Sequence, residues 1–179
     1  MSSRLRLLIA AVVCLHATTM SAQPAVPIEA NLKAVFLFNF TKYVTWPASG
    51  IGEPSPAELR ICVTANDAFF SLLKTAVAGE DIDGKPLVPV ALEGLDDAKT
   101  CQILYVGDSQ SADAKAWLSV VRGEQVLTVA DGALSDETVI TFVRDDNRIR
   151  FDINRVAADR RNLNVSAKLL RLARKVKDR

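Results

Sequence analysis

Short apolar runs alternate with amphipathic stretches along most of the chain. Leu59–Thr64 and residues 87–92, 101–106 and 126–130 are rich in Val and Leu and barely alternate between apolar and polar positions. Runs of that kind fit strands buried on both faces. Between them, residues 67–77 and 111–121 carry apolar side chains at three- and four-residue spacing and predict helices. Strands alternating with helices argue for an α/β fold, a mostly parallel sheet with helices on both sides.

The N-terminal part differs. Residues 28–44 read as a helix that Trp46-Pro47 ends, because the residue before a proline is pushed out of the helical region. Five of the chain's eleven aromatic residues (Phe36, Phe38, Phe40, Tyr43 and Trp46) fall within these few turns. Leu32, Val35, Phe36, Phe40 and Tyr43 share one stripe at helical spacing and are expected to face the core. Phe38 lies off that stripe and Trp46 lies at the exit. Either the helix is buried on two sides, or these aromatics belong to a partner surface, where such side chains commonly anchor binding. Residues 48–57 read as a loop.

The last third changes character again. Residues 139–143 and 148–153 flank Arg144-Asp145-Asp146-Asn147 and predict an antiparallel hairpin with one wet face. Two helical stretches, 155–161 and 165–176, are expected to close the chain. Val165, Leu169, Leu172 and Val176 would form an apolar stripe opposite Lys168, Arg171 and Lys175. Charge follows the same division. Residues 23–143 hold 8 basic and 16 acidic side chains, a net of −8, whereas residues 144–179 hold 12 and 5, a net of +7. Such asymmetry fits an anionic partner or membrane surface, and it equally fits a terminal helix with a solvated basic face.

Composition narrows the chemistry. A chain of 179 residues suits one domain with a real core. Residues 1–22 read as a secretory leader, with Arg4 and Arg6 before an apolar run too short to span a bilayer and a cut near Ser21 or Ala22. The expected division is thus a signal peptide at 1–22 and an α/β domain at 23–179. Removing the leader removes His16, the single histidine, and leaves 20 basic against 21 acidic residues. Ser–His–acid and Cys–His catalysis and histidine metal ligation then have no histidine to use. Cys62 and Cys101 remain as an even pair, which in an oxidising compartment suggests one disulfide, the alternative being two unpaired core thiols.

Ligands of open parallel sheets bind beyond the carboxyl ends of the strands. The polar strand exits here are Thr64-Ala65-Asn66-Asp67, Gly107-Asp108-Ser109-Gln110-Ser111 and Ala130-Asp131-Gly132. Gly107, Asp108, Ser109, Ser111 and Asp131 are therefore candidate ligand-binding residues. Asp67, Asp108 and Asp131 also admit a reading as metal-binding carboxylates, although capping and turn formation explain all three loops. No nucleophile, phosphate-binding loop or dinucleotide fingerprint accompanies them, so neither a catalytic residue nor a cofactor is assigned.

The residues themselves carry a resemblance. Leu32-Lys33-Ala34-Val35-Phe36-Leu37-Phe38-Asn39-Phe40-Thr41-Lys42-Tyr43-Val44-Thr45-Trp46-Pro47 closely resembles the opening motif of the YfiR family of small periplasmic proteins. Arg150-Phe151-Asp152-Ile153-Asn154 and Asn164-Val165-Ser166-Ala167-Lys168-Leu169-Leu170-Arg171-Leu172-Ala173 resemble its closing motifs. The spacing of Cys62 and Cys101 and the stretch Leu127-Thr128-Val129-Ala130-Asp131 fit as well. The resemblance implies a three-layer α/β/α sandwich and a non-enzymatic role. It implies an inhibitor that acts on the periplasmic sensor region of a membrane-bound diguanylate cyclase, holding down cyclic di-GMP, biofilm and exopolysaccharide. An OmpA-like outer-membrane lipoprotein is a further implied partner. Apart from the resemblance, a homodimer is a further expectation, and a net charge of +1 gives no field that points to nucleic acid. Phe38, Trp46 and Pro47 match the opening motif and are the candidate partner-binding residues. Two features depart from the family pattern: Glu137 and Thr138 stand where two glycines are often found, and no second disulfide is available near the hairpin. A small-ligand sensor that uses the strand-exit crevice is the alternative reading.

Overall fold

A computed structural model of the chain describes residues 28–47, 56–64, 67–109 and 111–179. The expected leader, residues 48–55 of the expected loop, Ala65, Asn66, Gln110 and the side chain of Asp67 lie outside the described residues. The elements in order are α1 (Ile28–Thr41), β1 (Val44–Thr45), β2 (Leu59–Thr64), α2 (Asp67–Ala76), β3 (Asp81–Ile82) and β4 (Lys85–Leu92). A 3-10 helix at Leu95–Thr100 follows, then β5 (Ile103–Asp108), α3 (Ala112–Val120), β6 (Leu127–Asp131), β7 (Ile140–Asp145) and β8 (Arg148–Asn154). The chain closes with α4 (Arg155–Arg160), β9 (Asn164–Val165), α5 (Ala167–Leu172) and β10 (Lys175–Lys177).

The main sheet has eight strands in the order β10-β8-β7-β6-β5-β2-β4-β3. Its centre, β4-β2-β5-β6-β7, is parallel. The hairpin partner β8 runs antiparallel to β7, β10 runs parallel to β8, and β3 runs antiparallel to β4. A second, two-stranded sheet joins β1 to β9. Alternate residues of the buried strands serve opposite faces. Ile61, Val63, Ile103, Tyr105, Leu127, Val129, Ile140 and Phe142 pack under α1 and α2, with Ala157, Ala158 and Leu169 from the last helices. Cys62, Leu104, Val106 and Ala130 pack under the 3-10 helix and α3. The architecture is the expected three-layer α/β/α sandwich. Three helix starts are fixed by side chains that accept from free amides: Ser111 from Ala114, Asn154 from Ala157 and Ser166 from Leu169.

Two expectations need correction. The inner face of α1 is Lys33, Ala34, Leu37, Phe40 and Thr41, whereas Leu32 and Val35 of the expected inward stripe are exposed. The helix is turned because Phe40 seats between Phe142 and Phe151, with ring centroids 5.8 and 5.3 Å away, and Phe36 follows it onto the same two rings. The helix expected over 165–176 is also broken into β9, α5 and β10, so the stripe of Val165, Leu169, Leu172 and Val176 does not form. Arg174 ends it: its backbone N–H donates to the Phe151 carbonyl at 2.8 Å, and its guanidinium grips both oxygens of Asp152 at 2.9 and 2.7 Å. A bidentate pair of that kind outweighs the small helix propensity of the segment.

Candidate functional site

Two regions gather the residues singled out by the sequence. The first is the outer side of α1 and the turn that follows it. With the inner face of the helix filled, Leu32 is 38% exposed and Val35 44% exposed, and Ile28 continues the same row at four-residue spacing. Phe38 is half-buried, packed against the core edge, with the Lys42 ammonium 3.8 Å from its ring centre. Trp46 is also half-buried, and its indole N–H donates to the Gln102 carbonyl at 3.2 Å. Pro47 follows it, half-buried. Trp46 lines a 180 Å³ depression with Thr41, Val44, Leu59 and Ile82. Phe38, Trp46 and Pro47 therefore each have part of their surface open, and Leu32 and Val35 are exposed on the outer side of the helix.

The second region is the carboxyl end of the parallel strands. Asp108 stands opposite Asp131 in the β5–β6 register, after an irregularity at Gly107, whose φ of +66° lies in the left-handed region that glycine tolerates. The Ser109 N–H donates to the Asp131 carbonyl at 3.1 Å and its hydroxyl donates to the Ala133 carbonyl at 3.3 Å. A Cβ on Gly132 would stand 3.6 Å from Asp108 Oδ1, so these two loops lie against each other. Ser111 instead caps α3. The structure thus brings Gly107, Asp108, Ser109 and Asp131 together and gives Ser111 a local structural partner.

A charged group that the sequence reading passed over lies between these regions. Lys33 is 9% exposed, and its ammonium reaches Asp131 Oδ2 at 2.8 Å and Glu29 Oε1 at 2.7 Å. The Tyr105 hydroxyl donates to the same Asp131 oxygen at 2.9 Å. Glu29 also pairs with Arg144. Burial pulls the Lys33 pKa down, but the hydrogen bonds and charges of Asp131 and Glu29 more than offset it and hold it above its ordinary value. Burial first, and then the Asp131 charge, push the Tyr105 phenol well above its ordinary range. The Lys33 hydrogen bond holds the Glu29 carboxyl below its usual value. Asp131 Oδ1 is buried and accepts no hydrogen bond. A cleft of about 390 Å³ opens beside the group, lined by Glu29, Lys33, Phe142, Arg144, Ile149 and Arg174. One signal for this group was present in the sequence. Glu29 and Lys33 are the charges of an otherwise apolar or neutral helix and stand four positions apart.

Cys62 and Cys101 are joined by a disulfide, Cα atoms 5.9 Å apart, which ties β2 to the residue that ends the 3-10 helix. Among the described residues, no group of three or more His, Cys, Asp or Glu side chains is placed to hold a metal ion.

A family model described as YfiR/HmsC-like matches residues 30–174, from the first turns of α1 to the residue before β10. The chain belongs to the YfiR/HmsC-like family. The match takes in α1, both cysteines, the strand-exit loops and the hairpin. No curated relative matches the chain. The family is regulatory rather than catalytic, and membership supports a periplasmic regulator of cyclic di-GMP signalling. The disulfide fits the oxidising compartment in which such a regulator works.

Proposed function

We propose that this YfiR/HmsC-like protein inhibits a membrane-bound diguanylate cyclase by docking the outer face of α1 on the cyclase's periplasmic sensor region. The observation that carries the reading is the second apolar face of that helix. Lys33, Ala34, Leu37 and Phe40 already fill its inner side, yet Ile28, Leu32 and Val35 stand in solvent on the other. Phe38 stands three positions beyond Val35 on the same helix, Trp46 and Pro47 follow the helix with part of their surface open, and aromatics are common anchors of a protein interface. An OmpA-like outer-membrane lipoprotein that sequesters the inhibitor would compete for this surface, as would self-association of the chain.

The test is cellular cyclic di-GMP. Deleting the gene should raise it, and returning the wild-type protein with an export signal should lower it again. A Leu32→Asp/Val35→Asp protein, folded by circular dichroism, should not restore the low level. Unchanged cyclic di-GMP on deletion, under conditions of expression, would sink the cyclase reading.

A second reading rests on Asp131. Its buried Oδ1 without a donor, beside the loops of Asp108 and Ser109, supports a small-ligand sensor at the strand ends. Calorimetry with amino acids, nucleotides and inorganic anions tests it. Absence of heat with every one of them counts against a sensor, whereas heat that Asp131→Asn abolishes supports one.

A further inference from the structure

The outer side of α1 has a spacing of its own. Ile28, Leu32, Val35 and Asn39 follow one another at four, three and four positions, and Lys42 stands three further on. Alternating fours and threes are the seam of a helix that packs along a second helix. From Ile28 to Asn39 the row runs for about 16 Å at the helical rise. Half-buried Phe36 and Phe38 flank it on its two sides. Ile28, Leu32 and Val35 are exposed, so no described element covers the seam. Asn39 is half-buried, and its Nδ2 donates to the Val35 carbonyl at 3.0 Å. A single asparagine in such a seam asks for a polar side chain opposite and fixes the register of the pair.

The two ends of the row differ in charge. At the first turn Glu29 is engaged by Lys33 and Arg144. At the far end the Lys42 ammonium lies 3.8 Å from the Phe38 ring centre, and that of Lys168 lies 5.1 Å from the Tyr43 ring centre. Both lysines are exposed, and neither forms a salt bridge among the described residues. Asp83 lines the Trp46 depression with Lys42 and Lys85, and no ion pair joins it to Lys42. The far end of the seam is therefore basic.

We infer that α1 is one half of a two-helix seam, the other half being an amphipathic helix of a partner protein. That helix is apolar along its own seam, places a polar side chain opposite Asn39, and carries carboxylates at the end that meets Lys42 and Lys168. The inference rests on α1 being the docking face of the proposed function and supplies the chemistry of what docks there. The row favours a helix over a lipid surface, because it is one residue wide and contains an asparagine that hydrocarbon would leave unpaired. It favours a different protein over a second copy. Glu29 is the one carboxylate of α1 and is already engaged, so a second α1 has none to offer Lys42 and Lys168.

The test uses protein recovered from the periplasmic fraction and synthetic peptides of about three heptads, with Leu at the seam positions, one Asn among them, and Glu at the flanking positions. The Glu peptide should bind and gain helix in circular dichroism, and a Lys-flanked version should bind about tenfold less tightly. Leu32→Asp/Val35→Asp should weaken binding of the Glu peptide about a hundredfold, and Leu32→Ala/Val35→Ala gives the same direction should the Asp pair melt early. Lys42→Glu/Lys168→Glu should reverse the preference between the two peptides. Lys99→Glu/Lys115→Glu, on the 3-10 helix and α3 across the sheet, should leave it unchanged. Replacing the peptide's Asn by Leu should weaken binding to wild type and strengthen binding to Asn39→Leu. Absence of Glu-peptide binding, or equal binding of the Glu and Lys peptides, overturns the inference. So does binding of phosphatidylglycerol vesicles that Leu32→Asp/Val35→Asp abolishes, which assigns the row to lipid, or a dimer in sedimentation that the same pair breaks, which assigns it to a second copy. No cyclase is present in the assay. Peptide binding with unchanged cyclic di-GMP on deletion fails the cyclase reading alone, and raised cyclic di-GMP without peptide binding fails this one alone.

Discussion

Lys33 and Asp131, 98 positions apart, meet at 2.8 Å and fasten α1 to the end of β6. The pair is more than a surface ion pair, because Lys33 is nearly enclosed and Asp131 also accepts from Tyr105. Removing one partner leaves the other poorly solvated. Lys33→Met is expected to cost about 2–3 kcal/mol in urea unfolding, below the range for a fully buried pair because Asp131 keeps some water access. Adding Asp131→Asn should return part of the loss, and the double-mutant cycle measures the coupling. Equal stability of Lys33→Met and wild type would show the contact to be energetically idle.

The same group sets the expected pH profile. Glu29 titrates lower in the folded protein than unfolded, so its contribution is present above the unfolded value near 4.3 and disappears as pH falls through the folded one. Lys33 and Tyr105 titrate higher when folded. Their contribution is complete below the unfolded values near 10 and is lost as pH rises beyond them. Stability should therefore decline below about pH 4 and above about pH 10. Glu29→Gln should flatten the acid limb and Tyr105→Phe the alkaline one. Melting temperatures across the range decide it.

The disulfide offers a third check. A bridge with a sequence separation of 39 removes about 4 kcal/mol of denatured-state freedom in the chain-entropy model. Cys62→Ser should melt well below wild type in oxidising buffer, and reductant should bring wild type down to the variant. Coincident melting without reductant would contradict a bridge in solution.

Substitutions on the two sides of α1 should separate stability from regulation. Phe40 is fully buried against Phe142 and Phe151, so Phe40→Ala should cost about 3–5 kcal/mol and lower protein abundance. Val35→Asp, on the exposed side, should change stability by less than about 1 kcal/mol and yet release cyclic di-GMP synthesis. If Val35→Asp unfolds the protein instead, that face is core. Trp46→Ala is the intermediate case, since it also loses the bond to Gln102.

The sequence was legible wherever a segment's own pattern decided its structure. The residues of β2 were read to both ends, and β4, β5, β6 and the hairpin to within about two residues, because unbroken Val and Leu runs have few other uses. The site was less legible. Asp131 was nominated from its strand exit, but Lys33 was not singled out, because its acidic partner on β6 is remote in sequence. Periodicity could not reveal the rotation of α1, since both sides of that helix are apolar and the rings of Phe142 and Phe151 choose between them. The last helix failed for a similar reason, as Arg174 answers to Asp152 rather than to its neighbours. The partner and ligand residues remain proposals.

The N-terminal position of α1 has a consequence for how the chain is made. Its inner face packs on Phe142 and Phe151, so α1 is synthesised before its seat and has none until the hairpin has followed. At ~5–20 residues per second, the 98 positions between Lys33 and Asp131 take on the order of 5–20 s to synthesise. Throughout that interval a helix that is apolar on two sides must be kept from aggregating. The nascent protein should therefore be a client of holdase chaperones, with the binding site at its opening motif.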